Sequence, residues 1–335
     1  MPLMFPEGRR FAFTVFDDTD VGTLDSIRPV YELLYELGLR TTKTVWPLDY
    51  DGDSSYAGSA TMQDPEYCSY LRLLQSRGFE IAFHGATMET ASRSETERAL
   101  QIFRVELGRG PTSYAAHAQN RDNLYWGRER FQFGLFRFAY DLMGGRGEPR
   151  YAGHLPGSDV YWLDLASELR YVRSLTYDGI DLNRVTSRVP YRMAATPGIN
   201  AWFPSCDADN VEEFVALLSP DNQAVLESHG GVCILSTHFG KGFIRDGRVR
   251  PDVARALESL SRRPGWFVPV TPLLDHLARQ RGIAELSGLR LFRMELLWFV
   301  HSLLRKLRKR PYESTEVPFL LAGQRAHAER KARRP

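Results

Sequence analysis

The sequence predicts an α/β protein built on a parallel sheet, open or closed into a barrel. Short apolar runs alternate with amphipathic stretches of about 10–15 residues, the pattern of βαβ units. Cap-forming residues and glycines fall where those helices should begin and end. At 335 residues, 43% hydrophobic and 25% charged, the chain can bury the core of one large α/β domain.

In chain order, Phe11–Phe16 reads as a strand and Leu24–Leu37 as a helix, with Ile27, Val30, Tyr31, Leu34 and Leu37 on one face and Gly38 closing it. Thr41–Trp46 is strand-like, Pro65–Ser76 helical with Gly78 behind it, and Phe79–Phe83 a strand. Ser92 and Glu95 have capping-box spacing and open a helix to about Leu107, with Gly108 after it. A brief strand follows at Ser113–Ala116. The middle, about 120–210, is rich in Gly, Pro and aromatics and yields only a helix at Ala166–Arg170 and a strand at Tyr171–Thr176. Regularity returns with helix Val211–Leu218, strand Val232–Ser236, helix Pro251–Ser261, strand Trp266–Pro269 and helix Pro272–Arg281.

Three cysteines, Cys68, Cys206 and Cys233, are too few and too scattered for a disulfide framework or a cysteine metal site. The first residues contain no apolar signal region, and no run is long enough to span a membrane, so a cytoplasmic protein is expected. The net charge of +2 conceals a basic end: residues 305–335 hold ten Lys/Arg against three Glu, leaving the rest of the chain at −5. No basic stripe with interleaved aromatics crosses the body, which argues against nucleic acid as a partner.

In parallel α/β folds the loops after the strands' C-terminal ends share one face, and that face carries the site. Asp17, Asp18 and Asp20 follow the first strand, His84 the strand at 79–83, His117 the strand at 113–116, and His238 the strand at 232–236. A lone strand-end Asp is usually a cap or turn former. Crowded carboxylates, however, repel unless a cation or proton is shared, and three histidines stand at matching positions. Mixed Asp/His ligands suit Zn²⁺ and similar divalent ions better than Mg²⁺ or Ca²⁺. The pattern therefore predicts a metal held between carboxylates and histidines, with one carboxylate free to act as a base.

FTVFDDTD resembles the first motif of the NodB-like polysaccharide deacetylases (carbohydrate esterase family 4). EIAFHG resembles their second motif and VCILSTH their late one, so the likeness spans about residues 8–283. The resemblance implies a distorted (β/α)₇ barrel and a metal-dependent hydrolase that removes an N-acyl group from an amino sugar or glycoconjugate. By position it makes Asp17 the general base, Asp18 and His84 metal ligands, and His238 the general acid. The family's usual second histidine is replaced by Met88, leaving Glu89 or His117 to complete the ligand set, with His117 preferred because Glu89 would require the turn to be rebuilt. An Arg-x-Pro-x-Gly motif is also missing. These departures admit a second reading, a catalytically inactive relative kept for carbohydrate binding or complex assembly.

Asp20 is expected either to cap the next helix or to bind a substrate hydroxyl, and His154 and Lys241 are further substrate candidates. Asp178 is a candidate for orienting His238. The expected organisation is a barrel over 1–284, an amphipathic basic helix over 285–311 and a disordered basic tail over 312–335. That helix is expected to pack on the barrel or a second subunit, with peripheral contact at the inner face of a membrane as the alternative.

Overall fold

In the computed structural model, which describes residues 3–117, 119–147 and 149–308, the parallel sheet closes. Strand β1 (Phe11–Asp17) is buried along its whole length, as its unbroken apolar run requires of a parallel strand covered on both faces. One edge of β1 pairs with β8 (Val232–Thr237) from Ala12 to Asp17. Its other edge is shared: β11 (Gly265–Phe267) lies beside Phe11–Phe13, and β2 (Thr42–Val45) beside Phe16–Asp17. From β2 the sheet continues through β3 (Glu80–Phe83), β4 (Ser113–Tyr114), β5 (Tyr171–Tyr177) and β7 (Trp202–Asp207) to β8, a closed ring of seven parallel strands. The short β6 (Tyr191–Arg192) runs antiparallel to β7 and carries β12 (Ala284–Glu285) outside the ring, while β9 (Ile244–Arg245) and β10 (Arg248–Val249) form a hairpin. The expected (β/α)₇ barrel is the observed fold.

Helices α1 (Leu24–Glu36), α2 (Pro65–Ser76) and α3 (Arg93–Leu107) fill the first crossovers. Ser92 and Glu95 make the reciprocal capping box that their spacing predicts. α1 is capped by a Thr23–Ser26 box, so Asp20 is not its cap. Later come α4 (Gly134–Leu142), α5 (Val211–Leu217), α6 (Pro220–Ser228), α7 (Pro251–Ser261) and α8 (Val270–Arg281).

α6, the β9–β10 hairpin and β12 were not expected from the sequence, and the larger differences from expectation fall in the middle. The helix expected at Ala166–Arg170 is a turn after a one-turn 3₁₀ segment, because the Arg170 and Tyr171 N–H groups already donate to Thr112 O at the start of β5. Strand β7 was hidden by Pro204, which a central strand should exclude. The sheet admits it because the β5–β7 register shifts between the Arg173–Phe203 and Thr176–Ser205 pairs, where the proline falls.

After β12, α9 (Gly288–Arg308) returns along the barrel wall. Its Phe292, Trp298 and Phe299 pack on Phe131, Phe133 and Phe136. Glu295, the only acid in the helix, accepts the Gln132 and Phe133 N–H groups at 2.7 and 3.3 Å. Tyr177 OH donates to Met294 O. The helix therefore packs on its own barrel along one face. The tail expected over 312–335 lies outside the described residues.

Candidate functional site

The parity of β1 sorts the acids at its end. Phe16 faces the barrel interior, where its ring meets Phe203. Asp17 therefore turns outward into the helix layer and Asp18 inward again. Asp17 Oδ2 lies 3.0 Å from Lys43 Nζ and accepts from Tyr31 OH at 3.0 Å, and its Oδ1 accepts the Phe239 N–H at 2.8 Å. Both side chains of the Asp17–Lys43 pair are fully buried. Asp17 is thus turned into the wall, with both oxygens engaged by Lys43, Tyr31 and the Phe239 N–H. The base role expected for it has no geometric support.

Asp18 receives a two-pronged bond from Arg173, at 2.9 Å to Oδ1 and 2.7 Å to Oδ2. Arg173 crosses the barrel from the middle of β5 and also donates to Ser236 Oγ. Burial penalises the Asp18 carboxylate, but Arg173, then His84 and His238, outweigh it and hold the group below its ordinary range. Its Oδ1 is 3.9 Å from His84 Nδ1 and its Oδ2 3.9 Å from His238 Nε2. Asp18 is an anchored, ionised carboxylate at the edge of the histidine cluster.

Asp20 occupies the centre of that cluster. Its Oδ1 is 3.2 Å from His84 Nε2 and 3.5 Å from His117 Nε2, and its Oδ2 is 3.3 Å from His238 Nε2. Donor atoms of Asp20, His84 and His117 all lie within 4.8 Å of one another, and all three residues are buried. Sequence reasoning brings His84 and His117 to this point but gives the carboxylate position to Asp18. The three-residue loop to Asp20 decides otherwise. That loop is pressed against the one carrying His238: a Cβ on Gly240 would stand 2.9 Å from Asp20 O, so the approach needs glycine.

The cluster fits a divalent metal ion on its own chemistry. Both ring nitrogens of His117 and Nδ1 of His84 are buried without a hydrogen-bond partner among the described residues. Burial drives the His117 pKa down to about 4, against the pull of Asp20, which leaves a neutral imidazole with a free lone pair. The edges of Trp46 and Tyr56 stand over its ring at 4.9 and 4.5 Å and fix it in place. One carboxylate and two imidazoles are a common protein complement for a catalytic divalent metal with open positions. Met88 is buried, and Glu89 bonds to Thr87 through its backbone and is outside the cluster.

His238 is oriented from behind by Asp209, whose Oδ1 and carbonyl oxygen lie 3.2 and 3.0 Å from Nδ1. Burial and Lys241 pull its pKa down, but the bond to Asp20 and the charges of Asp20 and Asp209 prevail and raise it. Lys241 Nζ is 3.4 Å from Asp209, beside the site. Asp178 does not orient His238: it pairs with Arg305 of α9 at 2.6 Å, and its N–H donates to His301. His154 stacks on Tyr125 at 3.9 Å and lines a cavity of about 530 Å³ with Arg128, Asp141 and Arg150, whose walls include none of the cluster residues. Arg173 and Asp209 were missed. An arginine inside the apolar run YVRSLTY was the available signal for the first, since a buried charge needs a partner. Asp209 follows the strand that Pro204 concealed.

Comparison with solved structures agrees with this architecture. A protein described as a polysaccharide deacetylase from Mycobacterium smegmatis matches with a TM-score of 0.51 at 15% identity, over 86% of this chain and 96% of its own. The fold is that of the polysaccharide deacetylases. An allantoinase matches over 83% of this chain and 93% of its own (TM-score 0.48, 12% identity). A protein described as a polysaccharide deacetylase from Pseudomonas aeruginosa matches over 83% and 94% (0.46, 13%). No protein-family model matches the sequence, and no curated protein does either. The deacetylase fold is thus carried by a sequence far from those structures.

Proposed function

We propose that the protein is a metal-dependent hydrolase that cleaves the amide of an N-acetyl or other N-acyl group on an amino sugar or glycoconjugate. The observation that carries this reading is the buried cluster of Asp20, His84 and His117, in which both His117 ring nitrogens and His84 Nδ1 have no hydrogen-bond partner among the described residues, flanked by one anchored carboxylate and one protonatable imidazole. A divalent ion such as Zn²⁺ held by these three residues would polarise the acyl carbonyl and stabilise the oxyanion.

The chain's own groups supply the proton transfers. Asp18, kept ionised and fixed by Arg173, takes a proton from the attacking water. His238, held by Asp209 with its pKa raised, gives a proton to the leaving amine as the C–N bond breaks. The base and acid need opposite protonation states at neutral pH, and the two environments push them apart in that sense. Relative to the expectation from sequence, the roles move along the acidic run, with Asp18 in place of Asp17 as base and Asp20 in place of Asp18 as ligand.

The test is release of acetate from N-acetylated amino-sugar oligomers by zinc-loaded protein. Turnover should fall by about 10²–10⁴ in Asp18→Asn while metal stays bound. Absence of acetate release by metal-loaded wild type from any amino-sugar substrate would favour the inactive carbohydrate-binding reading. Among the described residues no helix is long and apolar enough to cross a membrane.

A further inference from the structure

The apolar surface of this protein is unevenly spread. Of the twelve strongly exposed large apolar side chains among the described residues, eight belong to α4 and α9. On α4, Leu135, Phe138 and Leu142 are all more than half exposed and recur at i, i+3 and i+7, one stripe of the helix. The opposite face, Phe136 and Tyr140, is buried against α9. α9 repeats the arrangement. Its Phe292, Met294 and Trp298 turn inward, whereas Leu289, Leu296, Val300 and Leu303 form an exposed stripe, 83% exposed at Leu289 and 56% at Leu303. Two helices packed on each other therefore each keep a second apolar stripe in contact with water, which exposed patches of this kind rarely do without a purpose.

Charge identifies what would cover them. The only acid of α9, Glu295, is buried against backbone N–H groups. On α4 the only acid, Asp141, is engaged with Arg128. The exposed stripe of α9 is bordered by Arg290 and interrupted by Arg293, both exposed, and beyond Arg305, which pairs with Asp178 and Asp207, the sequence runs into four more basic residues over 306–310. A second copy docked on this face would bring cations against cations. An anionic lipid headgroup layer offers the complementary charge, with hydrocarbon beneath for the leucines. We propose that the α4–α9 face lies flat on an anionic membrane surface, α9 in the plane of the interface and its inner face still on the barrel.

The experiment is co-sedimentation of the full chain with phosphatidylcholine vesicles and with vesicles containing phosphatidylglycerol, for wild type and for the variants Leu296→Asp/Leu303→Asp and Phe138→Asp. All three positions are exposed, so the variants should keep the wild-type melting profile, which is measured alongside. Wild type should pellet with the anionic vesicles, weakly or not at all with the neutral ones, and less as salt rises. The double α9 variant should lose about tenfold or more in affinity, and the α4 variant a smaller factor. Wild type remaining in the supernatant with anionic vesicles would overturn the proposal. So would undiminished binding in the double variant, which would assign binding to the basic tail alone. A wild-type dimer dissolved by the same substitutions, with no vesicle binding, would overturn it in favour of a second copy.

Discussion

Two groups of buried charge stand a few residues apart at the end of β1, and they are built on opposite plans. Asp17 is matched atom for atom by the protein: Lys43, Tyr31 and the Phe239 N–H occupy both of its oxygens. Among the described residues Asp20 meets only three imidazoles, and the ligand nitrogens of His117 have no hydrogen-bond partner. Burying ionisable groups costs several kcal/mol unless something compensates them. Where the protein supplies the compensation, the carboxylate is part of the wall. Where donor nitrogens are left without a hydrogen-bond partner among the described residues, as at His117 and at Nδ1 of His84, the site is shaped for something the chain must take up. Asp18 lies between the two plans, compensated by Arg173 yet facing the cluster.

This contrast can be broken at either end. The largest expected effect is on activity: His117→Ala, which breaks no hydrogen bond among the described residues, should cost about a thousandfold or more in turnover, while changing metal-free stability by only about 1 kcal/mol. Thermal melts of chelated protein beside acetate-release rates would check both halves. Lys43→Met should do the reverse. Stripping Asp17 of its cation should destabilise the fold by about 3–5 kcal/mol, read by urea unfolding, while protein that remains folded still binds metal. A smaller effect is expected at Asp209→Asn, which leaves His238 in place but weakens the hold on its ring. Turnover should drop about 10–100-fold, with metal content unchanged in elemental analysis.

The smallest effect concerns a third buried acid, Glu295, which anchors α9. Burial pushes its pKa up from 4.5 to about 7, against the two backbone N–H groups it accepts. A carboxyl raised in the folded state binds its proton more tightly there than when unfolded. Stability should therefore fall as pH rises from about 4.5 to about 7 and level off above. The loss should be about 1–2 kcal/mol and should vanish in Glu295→Gln, as denaturant midpoints at pH 5 and pH 8 would reveal.

Much of this architecture is legible in the sequence because it follows from local rules. Apolar runs ending in Asp17, His84, His117 and His238 place four chemically meaningful ends on one face, and the Ser92–Glu95 box is visible by spacing alone. The division of labour among Asp17, Asp18 and Asp20 is less legible. It depends on which way a strand's last residue faces and on a short loop with Val21 in the left-handed region at φ 52°. The alternation through Phe16, an inward ring, was the clue that Asp17 points out. Asp209 was invisible for a different reason: β7 pairs on both sides around Pro204, so the local signal contradicted the tertiary outcome. The fate of α9 was half legible. Its apolar character is plain, but only the fold separates the face that meets the barrel from the one that does not.

The most direct test is metal binding by calorimetric titration of zinc into chelator-treated protein, with Asp17→Asn, Asp18→Asn and Asp20→Ala alongside wild type. One equivalent per chain, retained in folded Asp17→Asn and in Asp18→Asn but lost in Asp20→Ala, is the predicted result. Binding lost in Asp18→Asn and kept in Asp20→Ala would contradict the account and return the ligand role to Asp18.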